Sequence, residues 1–434
     1  MTSEPVSPTP PTEDQTRHAM RLSTLEGGFA IVFINWTQGS VLTGYALHLG
    51  ATPFELGLIS SVPLLGQVLS PVVAWLGGRA GRRKPIVIAC AIIGRLIWLL
   101  APFLTLLPNN QRASLLIAVI TLSSIFQAGG GALWIAWMGD LVPPRERGRY
   151  FGSRAGIHGM VGMAANLAAG VLLDRLASPM DFQVVLVTAV ASALIAAWIL
   201  SKQIEPPVIA QRLHLLETFT LPLKNQNFRH VLAFNIYWTF AVLLAAPFVI
   251  PYFLEHLRMS YTQLALWSAI AAISGLILAP QWGRLADRAG NKPILEVATI
   301  GAGTLLPVCW MLATPGNLWP VWFGGVIDAM VWGAIGPAQF NLALASAPKQ
   351  HRSSFIALLS ATTGLAGFLG GLLSGPLLEV FSSIAPRTGT GWTGYHTLFA
   401  LSGFMRSLAW LWLRRVHEDG AIRVRELFTW SRWV

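Results

Sequence analysis

One carboxylate, Asp328, lies nine residues into an apolar run extending from about 319 to 345. At about 1.5 Å per helical residue it stands ~13 Å along that run, near its middle. A charge at the centre of a bilayer costs from ~2.5 to more than 10 kcal/mol depending on the scale. A carboxylate kept there takes up a proton, holds a cationic group, or neutralises a buried cation. Arg95, ten residues into the run 86 to 106, poses the same problem with the opposite sign and must turn inward or find a partner, for packing or for contact with a ligand. Arg406, within ~12 Å of one end of its run, has a stem long enough to snorkel to the interface, a structural role. His158, six residues into the run 152 to 173, could titrate or simply pack. Uncharged polar groups pair at helical spacing: Asn35 with Gln38, Gln127 with Trp134, and Asn235 with Trp238. Each pair would share a helix face and offer hydrogen bonds beside an aromatic or amide wall, to a ligand or to a neighbouring helix.

Other chemistries are excluded by what is missing. Paired carboxylates, histidine clusters and an activated nucleophile do not gather at one depth, so an enzyme is not expected. A phosphate-cradling loop of Walker type is absent. The two cysteines, Cys90 and Cys309, sit in apolar runs and supply neither a disulfide framework nor a zinc-ligand pattern; no metal and no cofactor is expected.

The elements that must position these groups are apolar runs of about 20 residues, each long enough to cross a hydrocarbon core of roughly 30 Å. Hydrophobic residues make up 54% of the 434 and charged ones 11%, too few to solvate a soluble surface. The runs cover approximately 25 to 47, 54 to 76, 86 to 106, 113 to 138, 152 to 173 and 182 to 200, then 230 to 253, 262 to 283, 293 to 313, 319 to 345, 354 to 381 and 393 to 413. This predicts an all-α membrane protein of twelve transmembrane helices, with a disordered tail at 1–24, a six-helix bundle at 25–200, a linker at 201–229 carrying one surface helix, a second bundle at 230–414 and a tail at 415–434. That last tail, which mixes Trp430 and Trp433 with arginines, reads equally as an interfacial helix or a plain tail. No apolar stretch precedes Leu25, so a cleavable leader is not expected.

The net charge of +11 comes from 30 Lys and Arg against 19 Asp and Glu. When alternate connections are assigned to one side, 24 of the 30 fall together, four fall opposite, and Arg95 and Arg406 remain inside runs. The asymmetry places both termini in the cytoplasm and the chain in a cell membrane. Basic residues scattered through short loops make no nucleic-acid face.

The halves repeat. Leu49-Gly-Ala-Thr-Pro-Phe-Glu-Leu56 aligns with Leu257-Arg-Met-Ser-Tyr-Thr-Gln-Leu264, Arg79-Ala-Gly81 with Arg288-Ala-Gly290, and Pro143-Pro-Arg-Glu-Arg147 with Pro348-Lys-Gln-His-Arg352. Same order and same side imply parallel repeats. At Gly283-Arg-Leu-Ala-Asp-Arg-Ala-Gly-Asn-Lys-Pro293 the sequence resembles the signature loop of the major facilitator superfamily; the first copy, Gly77-Gly-Arg-Ala-Gly-Arg-Arg-Lys-Pro85, has Gly78 where Asp287 would be matched.

The resemblance, which covers 25 to 414, implies two six-helix halves and a secondary transporter working by alternating access. It also implies a small-molecule substrate, protons as the candidate coupling ion, a lipid bilayer as solvent and a monomer. A lipid or amphiphile translocase and a non-transporting sensor are the alternatives. Asp287 and Arg288, with Gly283, Gly290, Arg79, Gly81, Arg82, Arg147 and Arg352, would set the balance between the two open states, since such an Asp can accept charge-assisted bonds from Arg or a helix N-terminus. In the family pattern the first, fourth, seventh and tenth helices line the cavity, and the third lies at the periphery. Asp328, Asn35, Gln38, Gln127, Trp134, Asn235 and Trp238 would then face the substrate. Gly-Pro occurs at Gly375-Pro376 in the eleventh run rather than in the fifth, unlike family drug antiporters.

Overall fold

The computed structural model describes residues 12–79, 82–143, 145–176, 180–206, 215–348, 352–385 and 392–427. They are almost entirely helical. The first half holds α1 (Glu13–Trp36), α2 (Gly39–His48), α3 (Pro53–Arg79), α4 (Lys84–Leu96, continued by a tighter-wound Ile97–Leu106), α5 (Asn109–Leu141), α6 (Arg147–Leu176) and α7 (Asp181–Ser201). The linker carries α8 (Leu215–Lys224). The second half holds α9 (Gln226–Leu243), α10 (Ala246–Pro251), α11 (Tyr261–Ala289), α12 (Asn291–Met311), α13 (Trp319–Ala345), α14 (Arg352–Ile384), α15 (Gly394–Leu408) and α16 (Trp410–Leu413), followed by α17 (Val424–Leu427). Among the described residues, nine helical stretches are long and apolar enough to cross a membrane.

Helices dominate because a bilayer offers no partner to an open backbone N–H or C=O. Large apolar side chains also point outward: Phe103 is 63% exposed, Leu106 79% and Ile135 67%, which suits lipid contact rather than water. Two departures from the sequence reading occur in the first span. The chain is helical from Glu13, where Thr12 and Gln15 form a reciprocal capping box, so residues 13–24 are ordered helix rather than part of an irregular tail. The first span also breaks at Thr37–Gln38, where Thr37 Oγ1 donates back to Phe33 O (2.7 Å) and Gln38 turns extended ahead of Gly39 at φ 57°. Asn35 and Gln38 therefore do not share one helix face.

The repeat has a physical basis. Thr52 and Glu55 start α3 as a capping box (Thr52 N–H to Glu55 Oε2 2.9 Å), and Ser260 with Gln263 starts α11 in the same way (2.9 Å). At the other membrane face, Lys84 N–H donates to Glu205 Oε1 (3.0 Å) and Lys84 Nζ to Gln203 O (2.7 Å). The second half repeats both bonds: Lys292 N–H to Glu418 Oε2 (2.7 Å) and Lys292 Nζ to Val416 O (2.8 Å). Each half thus ties the segment after its last span to the N-terminus of its third, a carboxylate sitting at the positive end of a helix. Residues 416–422 of the tail are docked on the second signature loop, where Ile422 N–H also donates to Ala289 O (3.0 Å). Glu418→Ala removes the bonds that its carboxylate accepts from Asn291 and from the Lys292 N–H, leaving the bonds to Val416 O and Ala289 O to hold the segment alone. Trypsin is expected to cut at Arg423 and Arg425 about tenfold faster in the variant, read by mass spectrometry of the released peptide.

The halves meet along α3 with α14 and α6 with α11, the face bearing the signature loops lying at one end and the face bearing Asp174 at the other. Small residues allow this approach: a Cβ on Gly375 would come within 2.5 Å of Phe54 Cα, and one on Gly170 within 2.7 Å of Tyr261 O. Asp174 accepts from the N–H groups of Tyr261 (2.9 Å) and Thr262 (2.7 Å) at the start of α11. These hydrogen bonds join the two halves. They clamp the face away from the signature loops.

Candidate functional site

A cavity of about 330 Å³ lies inside the first half, toward the signature-loop face. It is built from α1, α4, α5 and α6, and its floor is charged. Glu26, 5% exposed, stands between Arg95 Nη2 at 3.8 Å and Arg154 Nη2 at 3.9 Å. Gly27 is what permits this: a side chain there would collide with the His158 ring and the Arg154 guanidinium, holding α6 away from α1.

Each charge has further support. Arg95 Nη1 donates to Ala193 O (2.8 Å), which anchors the guanidinium to α7 and turns it inward from α4. Arg154 lies over the Trp134 ring with its guanidinium carbon 4.5 Å from the centroid. His158 Nε2 contacts Thr24 O at 3.0 Å. Gln127 donates to Ser123 Oγ (2.9 Å), and the same hydroxyl accepts from Trp98 Nε1 (2.9 Å) and donates to Gly94 O (2.7 Å). Two cavity donors remain unmatched: Trp134 Nε1 and Arg154 Nε are both buried without a hydrogen-bond partner.

Of the residues singled out by sequence, the cavity gathers Gln127, Trp134, Arg95 and His158. Asn35 lines a neighbouring cavity between α1, α6 and α11, donating to Ile31 O (2.8 Å) and accepting from Asn166 (2.9 Å), a bond between helices. Gln38 is exposed beyond the break. Asn235 and Trp238 are both buried in the second half; Asn235 donates to Val231 O (2.8 Å), and Trp238 packs on Phe234 and Trp332. Asp328 is half-buried in that half as well, hydrogen-bonded with Trp332 one turn on and facing the Arg406 cation.

Arg406 does not snorkel. It is 2% exposed, donates to Val242 O (3.2 Å) and lies 6.0 Å from the Trp310 centroid, held inside the bundle by packing and by that hydrogen bond to α9. Glu26 and Arg154 were not singled out by sequence. Glu26 stands at the edge of its apolar run and Arg154 within a basic cluster, so both read as boundary residues. The available signals were Gly27-Gly28 beside Glu26 and the one-turn spacing of Arg154 and His158.

At the signature loops, Asp287 and Arg288 are exposed on the last turn of α11, and among the described residues neither makes a side-chain hydrogen bond or ion pair. Gly283 is exposed, and Gly290 ends the helix at φ 89°, packed against Ala421. Gly81 lies outside the described residues, and Arg79 ends α3. Arg82 is exposed, while its neighbour Arg83 forms a 2.5 Å ion pair with Asp140 on α5. Arg147 curls back onto the end of α5 through Val142 O (3.1 Å) and Gly139 O. Arg352 opens α14 and is exposed.

A family model described as Major Facilitator Superfamily matches residues 27–371 and 239–432. Among curated proteins, the Multi-drug resistance efflux pump PmrA of Streptococcus pneumoniae is 29% identical over 201 residues, 44% of this chain and 46% of PmrA. The class E tetracycline resistance protein of Escherichia coli is 30% identical over 114 residues, 26% of each chain. The chain thus spans less than half the length of the curated relatives it matches. In the solved structure of the nucleoside transporter NupG, the likeness has a TM-score of 0.68 at 15% identity, covering 92% of this chain and 100% of that one. The D-xylose-proton symporter gives 0.70 at 14%, covering 94% and 98%. Both likenesses are of fold.

Proposed function

Because the chain belongs to the Major Facilitator Superfamily, we propose that it is a secondary transporter that carries a small solute across a cell membrane by alternating access, with the Glu26 cavity as its binding site. The observation that supports this most is Glu26 itself, an acid held between two arginines in a polar cavity surrounded by apolar helices. Three ionisable side chains gathered in one cavity among apolar helices are costly to keep there, which marks a substrate or ion path by default. The sorting of basic residues supports cytoplasmic termini and a cytoplasmic signature-loop face. On that orientation the structure is an inward-open state: the outer face is clamped by Asp174, and Asp287 stands disengaged. Protons are the proposed coupling ion, and Glu26 their carrier. Asp328 serves as the counter-charge of Arg406 and keeps the second half packed.

Alternating access is tested by a cysteine in the cavity. Gly131 lines it and has open space where a Cβ would go, so Gly131→Cys is tolerated. With Cys90 and Cys309 replaced, a membrane-impermeant maleimide is expected to label it from the cytoplasmic side in inverted vesicles and only weakly from outside. Asp174→Ala removes two hydrogen bonds to an ionised acceptor, so labelling from outside rises about tenfold. Labelling from one side alone, unchanged by Asp174→Ala, contradicts the proposal.

A further inference from the structure

Resting on the transport reading above, we infer that the Glu26 cavity takes the anionic group of its substrate, a small organic monoanion bearing a carboxylate or similar oxyanion, onto Arg95 and Arg154, displacing Glu26 from between them.

The donors in the cavity are in excess. Two guanidinium groups face one carboxylate, and the two buried polar atoms left unmatched, Arg154 Nε and Trp134 Nε1, are both donors. A cationic ligand would bring more donors to a site where donors already outnumber acceptors, whereas an oxyanion supplies acceptors. The Glu26 contacts at 3.8 and 3.9 Å are long beside the ~2.7–2.9 Å of a charge-assisted hydrogen bond, so Glu26 holds neither arginine by its fork. Arg154 is stacked on Trp134, a pose that leaves the guanidinium edge free for bidentate binding. Ala30, Ile31 and Ile34 provide an apolar wall for the rest of the molecule.

Displacement couples the anion to a proton. With Glu26 ionised the three groups carry one net positive charge. With an anion bound and Glu26 protonated the sum is the same, so one proton accompanies one anion and the cavity charge is conserved. The other groups facing Glu26 are His158 and Arg154 on α6, with Tyr150 beside Arg154, and Arg95 on α4; α7, packed along α1, has Asp181 as its one ionisable residue, at its far end. Proton uptake on binding makes anion affinity fall as pH rises, by up to about tenfold per pH unit.

The test uses benzoate, neutral benzamide and benzylammonium as probes of similar size, with binding read from the thermal unfolding of the purified full-length protein at about pH 5.5 and about pH 8. Benzoate is expected to raise Tm, more at the lower pH, and benzamide and benzylammonium much less. Glu26→Gln keeps the benzoate effect and loses its pH dependence. Arg154→Gln loses benzoate binding, and Arg154→Lys, which keeps charge without the fork, weakens it about tenfold or more. Benzylammonium stabilising the protein in a Glu26-dependent way overturns the inference in favour of a cationic substrate. Equal action of benzamide and benzoate, or no effect of any probe, also overturns it. The two-sided labelling of Gly131→Cys needs none of these probes, so the transport reading stands or falls separately.

Discussion

Glu26→Gln is expected to destabilise the protein by about 3–5 kcal/mol, more than any other conservative substitution in the cavity. The reason is the charge it leaves behind. Arg95 and Arg154 are both brought to Glu26 from different helices, and without the acid two like charges face each other in a cavity walled by apolar helices. Removing one partner of a buried pair costs far more than the pair contributes, because the desolvation of the remaining charge is no longer offset. Thermal unfolding in detergent at low salt should show a drop on the order of 5 °C or more. Two further variants separate charge from packing: adding Arg154→Gln to Glu26→Gln restores most of the loss, and Glu26→Asp keeps most of the stability. A Glu26→Gln protein as stable as wild type would mean that the arginines are solvated and that the triad is not a unit. The same variant in proteoliposomes is expected to lose proton-coupled flux while retaining solute exchange.

Gly375→Leu should abolish transport outright, by a route that leaves the binding cavity intact. Gly375 faces the first turn of α3, and even a Cβ would lie 2.5 Å from Phe54 Cα and 2.6 Å from Pro53 O, backbone atoms that cannot swing aside. Overpacking of this kind costs about 1–3 kcal/mol when a core can adjust. Here the adjustment is available through the halves, which can part on the Asp174 face and so relieve the clash in the other open state. Flux falls below detection, the protein stays folded, and outside labelling of Gly131→Cys rises to exceed inside labelling. Gly316→Leu is the control: it lies exposed between α12 and α13 where nothing approaches within 4 Å of a Cβ, and it should transport nearly normally.

Most of the scaffold could be read from the chain, since apolar run length and the repeat of Thr52–Glu55 in Ser260–Gln263 have direct structural causes: a bilayer of fixed thickness and a capping box at the same helix start in each half. The site was legible only in part. Gln127, Trp134, Arg95 and His158 were singled out because polar groups inside apolar runs stand out. Glu26 did not, because α1 extends to Glu13 and the acid lies in the middle of the helix although it is at the edge of the hydropathy signal. Arg154 was hidden among basic residues for the same reason, with α6 starting at Arg147. The influence of Asp328 on Arg406 acts between α13 and α15 across the second half, which helical spacing within one run cannot reveal. The break after Asn35 turned on Gly39 adopting φ 57° and Thr37 bonding to its own helix, local choices that a three-residue spacing conceals.

The central claim is that the two halves exchange between two closures, and the most direct measurement is of paired distances in the wild-type background. Spin labels at Asn110 and Gly316, exposed in opposite halves on the outer face, and at Glu146 and Arg284, exposed on the signature-loop face, would be read by pulsed electron resonance in lipid nanodiscs. Two distance populations are expected at each face, shifting in opposite directions, the outer pair lengthening as the inner pair shortens, with Asp174→Ala moving both toward the outward-open population. A single unchanging distance at both faces, in wild type and Asp174→Ala alike, would contradict it and leave a rigid membrane protein that binds without carrying.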